Sequence, residues 1–351
     1  MAVVAVAVSI GLLQYMSNVL IPLVLAALLF YALDPFVDRM QAWRVPRVIG
    51  AALMIAIVVA STGSLVYFLQ DEAVHVVEGV PQSLRRLRDD LRRNPRQPGV
   101  LDKVQAAAKE IETTTADSMS NRTPSGATRV QVEQPIFSAS NYLWAGSMGM
   151  LSVLNQAIMV LFLAYFMLLS DDLYKRKLVE IVGPTLERKK ITVKILEDIA
   201  RQVESFLLIQ ILTSGIVAVA TGVVLWWMGL EGAALWGVLA GVFNSIPYYG
   251  PLLVTGGLSL VAFMQFGTLS MTLAVAGAAL LITTLEGFLL TPTLLGRAAE
   301  MNKVAVFAGL LFWSWVWGVP GMLLAVPMMM ILKAICDRVE DLQPVGRLLG
   351  E

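Results

Sequence analysis

Asn244-Ser-Ile-Pro-Tyr-Tyr-Gly-Pro251 interrupts a stretch, Gly232 to Leu285, that contains no charged side chain. Its two flanks, Gly232 to Ile246 and Leu252 to Phe266, would each rise about 23 Å as α-helix at ~1.5 Å per residue, short of the ~30 Å hydrocarbon core of a bilayer. The pair therefore reads as a helical hairpin that enters the membrane and returns, with Pro247, Tyr248, Tyr249, Gly250 and Pro251 at its tip. Non-helical backbone survives at membrane depth only where protein or a water-filled cavity satisfies its N–H and C=O groups. Such a break points to a solute pathway or a binding site.

Outward from this stretch the pattern is stated twice. A spanning helix is expected over Leu207 to Met228 ahead of the first hairpin. A second is expected over Leu269 to Thr291, ahead of Val304 to Leu332 with Gly318-Val-Pro-Gly321 at its centre. If the first helix runs outward, its hairpin enters from outside; the second helix then runs inward and its hairpin enters from the cytoplasm. The expectation is an inverted repeat whose tips, the second carrying Gly318, Pro320 and Gly321, together line the substrate site.

Composition agrees with a membrane protein. The chain is 57% apolar and 15% charged with zero formal net charge, against ~25% charged in soluble domains. Further uncharged segments are Met1 to Leu33, Val48 to Gln70, Gln134 to Ser170, Ser205 to Leu230 and Val304 to Leu332, and most pass the ~18-residue threshold for a transmembrane helix. The N-terminal run lacks a positively charged start, so it reads as two membrane helices, one ending near Tyr15 and the next near Asp34-Pro35, rather than as a secretory signal. The fold class is all-α and polytopic, with about seven to eight membrane segments and two broken or re-entrant hairpins in an inverted repeat. Residues 1–69 are N-terminal membrane helices, 70–135 an extracytoplasmic helical segment and flexible linker, and 136–170 a membrane helix. Residues 171–205 are cytoplasmic amphipathic helices, 206–335 the transport core and 336–351 a cytoplasmic tail.

Several function classes are excluded. One cysteine, Cys336, permits no internal disulfide, and one histidine, His75, leaves no His/Cys cluster for a metal. There is no Gly-rich phosphate loop for ATP-driven transport. No paired nucleophile and base occurs at membrane depth, so an enzyme is not expected, nor any cofactor. A balanced charge suits the bilayer and a small-molecule or ion substrate as partners, and no nucleic acid.

Orientation follows from the basic loops. Asp34 to Arg47 carries Arg39, Arg44 and Arg47, and Asp171 to Glu204 carries Lys175, Arg176, Lys177, Arg188, Lys189, Lys190, Lys194 and Arg201. The positive-inside rule places both loops in the cytoplasm, and with them both termini. The long segment between, Asp71 to Glu133, holds Arg85, Arg86, Arg88, Arg92, Arg93 and Arg96 before a Thr/Ser/Pro/Gly tract, Thr113 to Pro135. It reads as a solvated helix with a linker, although a basic cluster also suits anionic partners. Around a hinge at Gly183-Pro184, apolar Ile191, Ile195, Ile199, Val203 and Phe206 recur at helical spacing, as in a helix lying on the membrane surface.

Glu286 is the only acid within the apolar stretch from Gly232 to Thr291. A charge at the helix centre costs ~2.5–3.5 kcal/mol on insertion scales, so such a carboxylate is functional, as a carrier of protons or ions, or else paired. The pairing alternative is Arg297 or Lys303. Pro292 marks an expected helix break just beyond. Asn244, beside the first tip, is the candidate for direct substrate contact; Gln210 and Gln265 are either pathway residues or interhelical hydrogen-bonding residues. The absence of Lys or Arg between Arg201 and Arg297 suits a neutral solute better than an anion. Trp313, Trp315 and Trp317 point in different directions on a helix and read as packing and lipid contact, not as a ligand cage.

These pieces resemble the autoinducer-2 exporter-like family of bacterial membrane permeases. The matching residues are Leu20-Ile-Pro22, Tyr31-Ala-Leu-Asp-Pro35, Asn244 to Pro251, Glu286-Gly-Phe-Leu-Leu-Thr-Pro292 ahead of Gly296-Arg297, and Trp317-Gly-Val-Pro-Gly-Met-Leu-Leu-Ala-Val-Pro327. The resemblance implies a polytopic inner-membrane transporter, an exporter of autoinducer-2 or, in other members, a sodium/proton exchanger, and a homo-oligomer, for which a pentamer is one candidate form and the subunit number is left open. Three readings stand: a secondary transporter exporting a small polar organic solute of the autoinducer-2 type, a sodium/proton antiporter using Glu286, and a membrane scaffold without flux. A scaffold has no need of irregular backbone in the bilayer.

Overall fold

The computed structural model describes residues 2–93, 139–170, 186–295, 301–338 and 342–350. Among them regular structure is helical, apart from an isolated bridge between Met301 and Gly350. The Thr113 to Pro135 tract, Arg96, the Gly183-Pro184 hinge and Gly296-Arg297 lie outside the described residues, as do the side chains of the outer arginine cluster. The chain forms two units, one of Met1–Val76 with Ser152–Glu351 and one of Val77–Leu151.

In chain order the helices are α1 Ala2–Tyr15, α2 Ser17–Ala42, α3 Arg47–Arg93, α4 Ala139–Ser170, α5 Leu186–Trp227, α6 Ala233–Phe243, α7 Tyr249–Phe266 and α8 Leu269–Leu285. A π turn, Glu286–Leu290, leads into α9 Thr291–Leu295, and α10 Lys303–Trp317, α11 Val319–Arg338 and α12 Gln343–Leu349 follow. Among the described residues seven helical segments are long and apolar enough to cross a membrane: Ser17–Ala42, Arg47–Val74, Leu151–Ser170, Leu196–Trp227, Tyr249–Phe266, Leu269–Leu294 and Val319–Arg338. Two apolar helices are shorter, Ala233–Phe243 and Lys303–Trp317. They are the first arms of the two broken segments.

Some boundaries differ from the sequence reading. The amphipathic stretch before Phe206 and the spanning stretch after it belong to one 42-residue helix, α5. No Gly or Pro stands between Leu186 and Leu207 to stop it. Likewise α2 passes through Pro22 and Pro35 and ends at Ala42. Its end is tied down by Arg47, which pairs with Asp34 at 2.6 Å and Asp38 at 2.7 Å and donates from Nε to the Leu168 carbonyl of α4 at 2.7 Å. At α5, Asp198 pairs with Arg201 at 2.7 Å and with Arg338 of α11.

Small residues decide how the C-terminal half packs. In lipid the hydrophobic effect gives no drive for helix association, so close backbone approach must supply it. On α6, Gly237 and Gly241 press against Ala218, Gly222 and Ser214 of α5; a Cβ on Gly237 would lie 2.6 Å from the Ala218 carbonyl oxygen. Ser214, Ala218 and Gly222 are spaced by four, as are Ala233, Gly237 and Gly241, so one helical stripe lies along another. Around this seam Val217, Leu225, Leu230, Ala240, Val254, Leu258, Ala262, Val275 and Ala279 form a core shared by α5, α6, α7 and α8.

Both broken segments fold back on themselves. Trp236 of α6 covers Gly257 of α7, and Gly250 sits against the Phe243 carbonyl. Gly309 of α10 is covered by Met329 of α11, and Gly321 sits against the Trp313 carbonyl. Each pair is therefore antiparallel, and each second arm has in its first turn a glycine with no room for a side chain.

Candidate transport site

The first tip occupies 244–248, and its backbone is largely satisfied within the chain. Asn244 N–H donates to the Ala240 carbonyl at 2.9 Å, Ile246 N–H to Phe243 at 2.9 Å and Gly250 N–H to Ile246 at 3.0 Å. Tyr248 stands at φ 64°, ψ −50°, and the flanking Tyr249 N–H donates to the Pro247 carbonyl at 2.7 Å. That is a γ-turn of the positive-φ kind, rare and strained for any residue with a Cβ. Such strain, of order 1–3 kcal/mol, persists only where the surroundings over-determine it, and it clusters at functional sites. Pro251 falls in the first turn of α7, where its missing N–H would have had no helical partner.

The surroundings are the second hairpin. Ile246 is buried with Leu310 of α10 and Ala325 of α11, and Phe243, Tyr249, Trp313 and Met322 close around them. The Tyr248 ring, 52% exposed, meets Phe307 edge-on with centroids 5.7 Å apart. The first tip thus rests on the arms of the second hairpin. Leu310 precedes Gly318 by eight residues, so the contact lies about 12 Å along α10 from that hairpin's own turn, at ~1.5 Å per residue.

The second tip faces elsewhere. Gly318 turns the chain alone at φ 65°, ψ −139°, Pro320 opens α11 and Gly321 is buried. Trp317, also buried, donates its indole N–H to the Leu13 carbonyl of α1 at 3.0 Å. With Val316, Leu324 and Ile21 it packs among residues of α1 and α2, including Ile10, Leu13 and Val24. The tryptophan group accordingly divides between packing, at Trp313 and Trp317 with centroids 5.0 Å apart, and exposure at Trp315, which is 64% exposed.

Two of the polar candidates meet. Gln210 of α5 donates from Nε2 to Ser214 Oγ at 3.2 Å and, more weakly at 3.4 Å, to the Asn244 carbonyl at the first tip. Thr213 is buried one residue before Ser214. Gln265 is not with them: it accepts from Glu231 N–H at 2.9 Å and donates to the Gly229 carbonyl at 2.7 Å, an interhelical brace at the far end of α5.

Glu286 opens the π turn, which packs against α5. Thr291 holds it twice: its N–H reaches back five residues to the Glu286 carbonyl, and its hydroxyl donates to Glu286 Oε1 at 2.6 Å. Lys303 is exposed and makes no ion pair with Glu286 among the described residues, and Arg297 lies outside them. Pro292, read from the sequence as a break, follows the π turn, and the helix runs on to Leu295. A proline removes one N–H and crowds the carbonyl four residues back; the wider turn accommodates that loss without ending the helix, and π turns of this kind are frequent at functional sites.

Sequence reasoning missed Ser214, Thr291 as the partner of Glu286, Phe307, and Glu72. Thr291 was within the quoted motif, and its spacing of five from Glu286 is the only local signal. Ser214 lies four residues after Gln210, a helical neighbour. Phe307 and Glu72 are brought in by tertiary contacts that no local pattern carries.

This arrangement can be set beside known proteins. The profile described as AI-2E family transporter matches residues 2–341. The AI-2 transport protein TqsA of Escherichia coli K12 is 25% identical over 342 residues, 96% of this chain and 91% of its own. The putative permease PerM of the same organism is 22% identical over 331 residues, 93% of this chain and 88% of its own. The putative transport protein YrrI of Bacillus subtilis is 29% identical over 174 residues, 50% and 48% respectively.

Proposed function

Since the chain belongs to the AI-2E transporter family, whose members here are named as transport proteins and permeases, we propose that it is a secondary transporter exporting a small polar organic solute of the autoinducer-2 type. The solute passes at the first tip, between Gln210, Ser214 and Asn244 on one side and Tyr248 and Phe307 on the other. The single observation that carries this reading is the strained, polar tip of the first hairpin, set within an apolar core and faced by an amide side chain. A relative with near-complete coverage that is named an AI-2 transport protein supports the substrate class. Uncharged hydrogen-bonding groups at the tip suit a neutral polyhydroxylated molecule, because each buried donor or acceptor rejects a ligand that leaves it unpaired.

Glu286 supplies the coupling to an ion gradient. A carboxylate in a membrane helix is costly unless it is used or neutralised, and its partner among the described residues is the Thr291 hydroxyl. The hairpins form an inverted repeat, enter from opposite faces of the bacterial inner membrane and leave both termini in the cytoplasm; the assembly is a homo-oligomer.

The test is efflux of labelled autoinducer-2 from proteoliposomes containing the purified chain, with and without an imposed proton gradient. Gradient-dependent efflux that Glu286→Gln uncouples while the protein still inserts is the expected result. Efflux unchanged by Glu286→Gln would make that glutamate structural. No efflux, together with sodium-driven proton movement, would transfer the assignment to sodium/proton exchange.

A further inference from the structure

Away from the tips, α3, α5 and α6 border an open cavity of about 460 Å³ lined by Glu72, Ala218, Val219, Val223, Trp226 and Val238 among others. Its size is that of a small-molecule site, and among the described residues its only charged lining residue is Glu72. We propose that this cavity binds a membrane phospholipid whose primary-ammonium headgroup bonds to Glu72 while an acyl chain fills the apolar groove.

The carboxylate has one oxygen engaged. Glu72 Oε2 accepts the Leu235 N–H at 2.9 Å, in the first turn of α6, whose N-cap position is Gly232 with no side chain to do so. A helix start exposes N–H groups and a positive end of the dipole, so an acid from a neighbouring helix is stabilising there. Among the described residues Oε1 has no partner and no Lys or Arg lines the cavity. A carboxylate at the edge of an apolar groove calls for a cation with N–H donors.

Position and exposure make the occupant a lipid. Glu72 follows the apolar run of α3 that closes at Leu69, and Trp226 stands at the end of α5, as aromatic residues do where hydrocarbon meets headgroups. Val219, Val223 and Trp226, at 67%, 57% and 75% exposure, continue the groove along the outer face of α5 as an unbroken apolar strip. The groove therefore opens sideways onto hydrocarbon, which an acyl chain matches.

A primary ammonium has three N–H donors and a choline trimethylammonium has none, so the two headgroups separate the charge–hydrogen-bond reading from simple greasiness. The experiment measures retention of phosphatidylethanolamine and phosphatidylcholine by the purified, delipidated full chain, by native mass spectrometry and by shift in melting temperature. One charge-assisted bond gives an expected preference of about tenfold for the ethanolamine lipid. Glu72→Gln keeps an oxygen for the Leu235 N–H, so it should keep the lipid-free melting temperature and lose the preference. Val223→Trp, which fills the groove, should lower retention of both lipids with Glu72 intact. Equal retention of the two lipids by the unaltered chain, or an undiminished preference in Glu72→Gln, overturns the proposal. So does disulfide cross-linking between copies carrying Val223→Cys, which would give the groove to a second subunit.

Discussion

The two broken hairpins are built on the same plan and turned by different means. In each, the first turn of the second arm holds a glycine pressed against a carbonyl of the first arm: Gly250 on Phe243, Gly321 on Trp313. Their turns then part company. The second reverses on Gly318, which adopts positive φ at little cost, and is fastened to α1 through Trp317. The first takes residues 244–248 and puts a tyrosine where φ is 64°, with an amide from α5 reaching its carbonyl edge. A relaxed turn anchored among apolar helices is a structural corner. A strained turn facing polar groups is where the proposed passage lies, because strain of this kind clusters at functional sites.

The largest effect tests what the two hairpins share. Gly250→Ala and Gly321→Ala would each place a Cβ within 1.8 or 1.9 Å of a backbone carbonyl oxygen, a contact that only backbone displacement can relieve. Both should cost more than ~3 kcal/mol, beyond ordinary overpacking, and be read as a large fall in melting temperature or loss of monodisperse protein. Should one variant remain as stable as the unaltered chain, the common plan is broken at that hairpin.

The next effect should have opposite signs at the two turns. Gly318→Ala forces a Cβ into a positive-φ, extended conformation that is close to glycine-only and should lose about 1–3 kcal/mol of stability. Tyr248→Gly releases comparable strain, ~1–3 kcal/mol, against the ~0.5–1.5 kcal/mol of its edge-on contact with Phe307. Its melting temperature should hold or rise while transport falls at least about tenfold, as when site strain is exchanged for stability. A Tyr248→Gly protein that melts lower and transports normally would show that the strain has no use.

Much of this was visible in the chain before any coordinates. The two breaks announce themselves because Pro and Gly stand out in long uncharged runs, and the helix ends at Tyr15, Phe266 and Trp317 follow local chemistry. Other features depend on contacts remote in sequence. Nothing near Tyr248 encodes its positive φ, which accompanies the packing of Ile246 on Leu310 and Ala325, residues remote in sequence. The cap of α6 comes from Glu72, 163 residues away. The Ser214-Ala218-Gly222 stripe was present at spacing four, yet in a segment apolar on every side periodicity does not say which face is covered. Continuous α5 shows the converse case, where a change from amphipathic to apolar residues marks a change of surroundings and no change of backbone.

The smallest effect discriminates most finely between the turns. Gln210→Leu removes the donor to Ser214 and to the Asn244 carbonyl at the first tip; Trp317→Phe removes the donor to Leu13 at the second. Each deletes a hydrogen bond whose net worth is about 1 kcal/mol, so melting temperatures should fall by similar small amounts. Their consequences for flux should differ. If the first tip is the passage, an apolar side chain at 210 leaves a polar solute unpaired there and slows export by about tenfold or more, whereas Trp317→Phe loosens a corner and leaves the rate close to the starting value. Equal loss in the two variants would make the second tip part of the passage as well, and the inverted repeat would then have two working ends.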